Sequence, residues 1–313
     1  MSNPDSSSFT ICEDPARNAQ NGERLRFEQV NPHFEVAPRF ADVENWQVFQ
    51  GMLLAVMSSD ESDHSILGSA VMVAPGIALS ATHTLEELLP ELRRGGKTMM
   101  CIGVASTGAQ AWHVKLVTFV ETTDTCILSF QCATDIPSTR TFYQASLTTR
   151  LPAIGEKLIM AGFRAARETF ESHDDRQTDL WASLYVSSGV VSQQYLRRRD
   201  RVKIPWPALE VDCQTLGGMS GGPVFDSRGF PVGMVTSSFD RGPGEEATPT
   251  YAALLWPVFG KKFDGGWPAA LTSHEPKSLL DLTARGFCQI EKPSAVRISV
   301  EDGKPTAVYT PWS

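Results

Sequence analysis

No run of about 18 apolar residues occurs anywhere in the 313-residue sequence, so no membrane-spanning helix is expected. The first twenty residues are mostly Ser, Asn, Asp, Glu and Arg. They lack a basic segment followed by an apolar run, and a secretory leader is not evident there. Basic charge is scarce as well: 28 Lys and Arg stand against 36 Asp and Glu, a formal net charge of −8. A general nucleic-acid binder shows the opposite balance, so no nucleic-acid partner is expected. The concentrated basic run Arg197-Arg198-Arg199-Asp200-Arg201 reads as a solvated loop, with a docking or self-cleavage site as the sharper alternative. Cysteines are few and scattered (Cys12, Cys101, Cys126, Cys132, Cys213, Cys288), and none forms a Cys-Xaa-Xaa-Cys pair. A zinc site is not expected, and no other metal or cofactor is implied. The thiols read as reduced and buried, which fits a cytoplasmic protein. No internal repeat is evident.

What is present is an acidic chain with 42% hydrophobic residues, enough for one or two domains with true cores. Residues 1–44 are rich in Ser, Asn, Pro and charge and read as an extension. Its first 24 residues are expected to be disordered, and 25–40 to form a strand or wrap the body. From Trp46 onward, short apolar runs alternate with turn signals such as Pro75-Gly76. Runs at 48–57, 66–74, 77–81, 99–104, 111–120 and 126–130 predict one set of strands. Runs at 157–163, 184–193, 208–211, 222–225 and 231–238 predict a second, ended by a strand or helix at 252–259. Residues 137–152 read as the connection between the sets, and the acidic stretch 168–179 as an exposed loop. Leu85, Leu88, Leu89 and Leu92 recur at helical spacing and predict a short helix ending at Arg93-Arg94-Gly95-Gly96. In the tail, 276–287 carries leucines at helical spacing. Val296, Ile298 and Val300 then alternate before Asp302-Gly303, a hairpin signal. Short strands with frequent turns imply an all-β barrel pair, 45–150 and 151–262, with an appendage at 263–313.

The run Gly217-Gly218-Met219-Ser220-Gly221-Gly222-Pro223 puts a serine in a glycine turn just ahead of apolar Val224 and Phe225. Glycine permits backbone angles closed to other residues and lets a substrate approach the main chain. A serine hydroxyl needs a base to become a nucleophile. Amides beside it, here those of Gly218 and Ser220, can stabilise a developing oxyanion. A base and a carboxylate both occur upstream. His83 follows the small-residue strand end Ser80-Ala81-Thr82, and Asp124 opens the apolar strand Thr125-Cys126-Ile127-Leu128. An imidazole titrating near neutrality can take the hydroxyl proton and return it. Asp124 can fix its tautomer. His113, inside a predicted strand, is the competing histidine. Asp135 is the competing carboxylate, but Ile136-Pro137 follows it instead of a strand.

The strand-Ala-Xaa-His segment, the Asp-Xaa-Xaa-Ile-Leu segment and Gly-Xaa-Ser-Gly-Gly-Pro, in that order, resemble the chymotrypsin-fold (trypsin-like) serine peptidases. The style is nearest to their HtrA-like and glutamyl-endopeptidase-like bacterial branches, and the resemblance spans roughly residues 46–262. It implies two six-stranded antiparallel β-barrels. It also implies a Ser220-His83-Asp124 triad acting on protein or peptide substrates through an acyl-enzyme, with no metal. By the same resemblance Thr236 lies near Asp124. Gln214, Thr215, Thr236, Ser237 and Ser238 would bind substrate.

Three departures from that pattern stand out. Met219 replaces the aspartate that in trypsin pairs with a freed N-terminus, and no Ile-Val-Gly-Gly start is present, so activation of that kind is not expected. Control would come from the N-terminal extension, the acidic loop or a regulatory protein partner. Secreted relatives commonly carry a cysteine after the histidine, where Thr84 stands here. Val235 occupies the place of a histidine in glutamate-specific relatives, so a preference for acidic side chains is not supported; Asp212 remains a candidate for favouring basic ones. The alternative function is a latent or inactive module within an intracellular assembly.

Overall fold

The computed structural model describes residues 9–13, 24–32, 40–42, 46–60, 64–86, 88–164, 171–174, 177–179, 183–238, 249–268, 275–301 and 304–312. The protein is all-β, built from two closed six-stranded antiparallel barrels. In the first, Leu53–Ser59, His64–Ala74, Ile77–Ala81, Thr125–Cys132, Gly108–Phe119 and Thr98–Ala105 pair in that order, and the last returns to the first. Thr98–Ala105 buries every second residue, the period of a strand with one face toward a core. Ile77–Ala81 is buried at every position.

In the second barrel, Lys157–Arg164, Pro223–Phe225, Pro231–Ser238, Thr250–Leu254, Ala208–Asp212 and Ser183–Tyr195 form the ring. Pairing of Lys157–Arg164 with Ser183–Tyr195 closes it. Phe40–Asp42, from the N-terminal extension, adds to the outside of Ser183–Tyr195.

Several elements differ from the sequence reading. The single helix predicted around Leu85–Leu92 is two, His83–Glu86 and Leu89–Arg93. Pro90 lies in the first turn of the second, where its missing N–H is harmless; inside one continuous helix it would break the ladder. The stretch read as an acidic loop forms a small antiparallel pair, Glu171–Asp174 with Gln177–Asp179. Residues 9–13, expected to be disordered, form the strand Phe9–Glu13 against Arg24–Val30. The end of the second barrel is the strand Thr250–Leu254 followed by a 3-10 turn at Trp256–Val258. The turn expected at Asp302-Gly303 lies outside the described residues; its flanks, Val296–Glu301 and Lys304–Tyr309, pair antiparallel.

Arg24–Val30 runs parallel to Thr141–Ala145 in the connection between the barrels. Leu25 and Phe27 are fully buried there. The Phe27 ring stacks on Phe142 at 5.4 Å, and Phe142 meets Trp112 and Trp267 edge-on at 5.4 and 5.2 Å. One aromatic knot thus joins extension, first barrel, connection and tail, each contact adding about 0.5–1.5 kcal/mol beyond its buried area.

The tail also clamps the connection. Leu147–Thr148 pairs in parallel with Ile290–Glu291. The Tyr309 hydroxyl donates to the Thr149 carbonyl at 2.7 Å, and Trp312 Nε1–H donates to Thr149 Oγ1 at 2.7 Å. The Leu151 amide donates to the Trp312 carbonyl at 3.0 Å. The helix Leu279–Ala284 is begun by a capping box in which Ser278 and Asp281 bond each other's amides.

Among the described residues no helix is long and apolar enough to cross a membrane. Cys101, Cys126, Cys132, Cys213 and Cys288 are buried and form no disulfide with one another. Burial pushes the Cys213 thiol up to about 11 and that of Cys288 up to about 12. Burial raises Cys101 and Cys126 further, with Asp124 adding to the effect on Cys126. A thiolate is the reactive form. Iodoacetamide at pH 8 is therefore expected to leave these four unmodified in the native protein and to label them once denaturant is added. Peptide mass spectrometry reads this residue by residue, and rapid native labelling of Cys126 would contradict it.

Candidate active site

His83 begins the short helix that follows Ile77–Ala81, and the Thr84 hydroxyl donates to the Ala81 carbonyl at 2.8 Å to hold that corner. Asp124 immediately precedes Thr125–Cys132. Adjacent strands of one barrel therefore deliver both groups to the same end, and the Thr82 amide donates to the Asp124 carbonyl at 2.6 Å.

The Asp124 carboxylate is only 4% exposed, whereas the His83 side chain is 43% exposed. Oδ1 accepts the His83 backbone N–H at 3.1 Å, and Oδ2 lies 2.6 Å from His83 Nδ1. The Thr236 hydroxyl, from Pro231–Ser238 of the second barrel, also donates to Oδ2. An ionised carboxylate only accepts, so the imidazole proton sits on Nδ1 and the Nε2 lone pair is left to act as a base.

Ser220 follows two glycines and a buried methionine. Gly218 has φ +92° and Gly221 φ +81°, both in the region that favours glycine. A Cβ on Gly221 would lie 2.2 Å from the Ser69 carbonyl oxygen and 2.5 Å from Ser80 Oγ. Glycine at 221 is thus what lets the serine turn reach the first barrel. The Ser220 carbonyl accepts the Ser69 amide at 2.8 Å, and the Gly221 amide donates to the Val235 carbonyl at 2.8 Å. Among the described residues, neither the Gly218 nor the Ser220 amide has an acceptor, which leaves two N–H groups available beside the hydroxyl.

His83, Asp124 and Ser220 line one cavity of about 340 Å³ together with Thr215, Thr236 and Ser237. No direct hydrogen bond joins His83 to Ser220. Gln214 is exposed and does not line the cavity, nor does Gly218. The Thr215 hydroxyl is bonded to Thr250 Oγ1 at 3.0 Å. Ser238 ends its strand, and its side chain lies outside the described residues. Asp212 is exposed at the end of Ala208–Asp212, away from the cavity lining. The competitors fall elsewhere: His113 is within a strand, paired with Met100 and Gln131, and Asp135 follows the end of Thr125–Cys132.

The sequence reading missed Lys203, Trp206, Leu216 and Gly217 as cavity residues, whereas Val235, weighed there as a specificity position, does line the cavity. Lys203 and Trp206 belong to the basic loop. There Asp200 Oδ1 accepts the amides of Val202, Lys203 and Ile204 at 2.8, 2.6 and 3.3 Å. Those bonds, the Val202 and Lys203 amides foremost, hold the Asp200 carboxyl down to about 2. The loop is folded back by its own aspartate, and it brings Lys203 and Trp206 to the wall of the cavity. The signal was Asp200 within the arginine run, an acceptor placed to collect following amides. Among the described residues no group of His, Cys, Asp and Glu is placed to hold a metal ion.

Solved structures of similar outline include Deg5, at 17% identity and TM-score 0.45, over 66% of this chain and 84% of that one. The MamO protease domain from Magnetospirillum magneticum, in its apo form, is 13% identical with TM-score 0.44, over 66% and 93%. The HtrA-type protease AlgW with a tripeptide is 17% identical with TM-score 0.42, over 66% and 56%. No curated protein sequence matches the chain at a significant level. The family profile described as Trypsin-like peptidase domain matches residues 68–234, more than half of the sequence, and the chain belongs to that family.

Proposed function

We propose that this protein is a serine endopeptidase that cleaves protein or peptide substrates through an acyl-enzyme, with Ser220 as nucleophile, His83 as base and acid, and Asp124 as the carboxylate partner. The observation that carries the reading is the buried Asp124 carboxylate, bonded by His83 Nδ1 and Thr236, in the same cavity as Ser220. Nε2 of His83 takes the Ser220 proton as the oxygen adds to the scissile carbonyl. The carbonyl oxygen becomes an oxyanion facing the Gly218 and Ser220 amides. The imidazolium then protonates the departing amine, and the Ser220 ester remains. Water, deprotonated by the same imidazole, hydrolyses the ester and restores the hydroxyl. Asp124 stays ionised throughout and steadies the imidazolium.

The Ser237–Ser238 end of its strand is the natural place for substrate backbone to pair, by strand addition. Lys203 adds positive charge to a cavity whose carboxylate is already engaged. Buried cysteines that form no disulfide with one another fit a reducing compartment, and we place the protein in the cytoplasm on that ground. A second reading, a latent module awaiting a regulatory partner, is favoured by the missing His83–Ser220 hydrogen bond. Such contacts are often long in ligand-free enzymes and tighten when substrate binds.

A fluorophosphonate probe separates the two. The first reading expects covalent labelling of the wild type at Ser220, lost in Ser220→Ala, together with cleavage of a proteome-derived peptide digest read by mass spectrometry. A folded wild type that neither labels nor cleaves would leave only the latent module.

A further inference from the structure

Met219 leaves a gap in the logic of the serine turn. It is fully buried among Leu158, Met160 and Val191 of the second barrel and carries no charge to pair with anything. Gly217 and Gly218 before it have wide backbone freedom. If the Gly218 and Ser220 amides are to act on one point, something else must orient them, because an oxyanion site works only when its donors are already oriented.

Ser69 is placed to do this. It lies in His64–Ala74 of the first barrel and is fully buried. Its Oγ is 2.8 Å from the Phe163 amide and 2.9 Å from the Gly218 carbonyl. The amide can only donate and the carbonyl only accept, so the direction of both bonds is settled: Phe163 N–H to Oγ, and Oγ–H to Gly218. The Ser69 amide donates to the Ser220 carbonyl at 2.8 Å. The Ser69 carbonyl accepts the Ser80 hydroxyl at 2.7 Å. From the far side, the Met219 amide donates to the Leu216 carbonyl at 3.1 Å. The Gly218–Met219 peptide is therefore held at both its oxygen and its hydrogen, and the next carbonyl, that of Ser220, is held by the same first-barrel residue.

We propose that Ser69 is a positioning residue for the oxyanion site, its hydroxyl locking the Gly218–Met219 peptide from the opposite barrel. The inference rests on the reading of Ser220 as nucleophile. It makes docking of the two barrels a condition for a formed oxyanion site, a task that an ion pair at position 219 cannot perform in this chain.

The test compares Ser69→Ala, Ser69→Cys and Ser80→Ala with the wild type. Fluorophosphonate labelling, steady-state hydrolysis of a peptide from the digest, and thermal melting are measured on each. Loss of one oxyanion donor lowers kcat by roughly 100- to 1000-fold. Ser69→Ala is accordingly expected to lower kcat and the labelling rate by about 100-fold, with KM within about threefold and the pH profile of kcat/KM unmoved. Ser69→Cys fills the site with a weak donor and gives the answer if the alanine variant does not fold; at least a tenfold fall in kcat is expected. Ser80→Ala removes a bond to the same residue but not the one to Gly218, and its kcat should stay within about threefold of wild type. Wild-type labelling with undiminished kcat in a folded Ser69 variant would overturn the role of Ser69 and leave Ser220 as nucleophile. So would an equal loss in Ser80→Ala, which marks a merely structural effect. A wild type that does not label at Ser220 would overturn the nucleophile assignment, and the inference with it.

Discussion

Asp124→Asn is expected to lower kcat by on the order of 10⁴-fold while leaving the fold intact. Three donors converge on the two carboxylate oxygens: the His83 backbone amide on Oδ1, and the His83 ring and Thr236 hydroxyl on Oδ2. An asparagine offers one oxygen and one NH₂. The backbone amide cannot stop being a donor, so it claims the oxygen and the NH₂ turns to the imidazole. The ring must then present Nδ1 as an acceptor and carry its proton on Nε2, the nitrogen required to accept from Ser220. Melting temperature and steady-state hydrolysis at neutral pH check this together. A folded Asp124→Asn protein with less than a tenfold loss would remove Asp124 from the proposed mechanism.

Asp226→Ala is expected to destabilise the protein by roughly 3–5 kcal/mol, the range for breaking a buried ionic cluster from one side. The Asp226 side chain is fully buried. It accepts from Arg150 Nη2 at 3.0 Å, from Arg228 Nε and Nη2 at 3.1 and 3.0 Å, and from the amides of Arg228 and Phe230 at 2.9 and 3.0 Å. Arg150 comes from the connection between the barrels, and Arg228 reaches on to Glu291 in the tail at 2.8 Å. Alanine would leave the Arg228 and Phe230 amides without this acceptor and strip the largely buried Arg150 guanidinium of one of its two carboxylates, Glu156 being the other. The loss should appear as a lower denaturant midpoint at unchanged slope; a shift below about 1 kcal/mol would contradict it.

The same cluster sets an acid limit. The Arg228 hydrogen bond holds the Glu291 carboxyl below its ordinary value of 4.5, against the opposing effect of burial. A carboxylate lowered in the folded state adds stability above its unfolded value and loses it as pH falls through the folded one. Stability should therefore fall on acidification below about pH 4.5, and less steeply in Glu291→Gln.

The parts of the site legible in the sequence were those with local signatures. A glycine turn around Ser220, a small-residue strand end before His83 and an apolar strand after Asp124 each announce their own geometry. Thr236 came only through resemblance, since nothing near it in the chain points to Asp124. Ser69 and Lys203 went unseen for different reasons. Ser69 acts on residues about 150 positions away, across the junction of two barrels, and no periodicity encodes such a contact. Lys203 sat in a run whose charge outweighed the single Asp200 that folds it. Strand positions follow from alternation and turn residues, whereas the single Pro90 overrides four leucines at helical spacing and begins a second helix. The aromatic knot of Phe27, Trp112, Phe142 and Trp267 gathers residues from four segments, and only tertiary packing assembles it.

The hold that Tyr309 and Trp312 exert on Thr149 and Leu151 has a consequence for biosynthesis. Both barrels are fully translated before residue 312 leaves the ribosome. Until then the connection between them lacks the hydrogen bonds that Tyr309 and Trp312 supply. A nascent chain can thus fold each half before the connection between them is fastened.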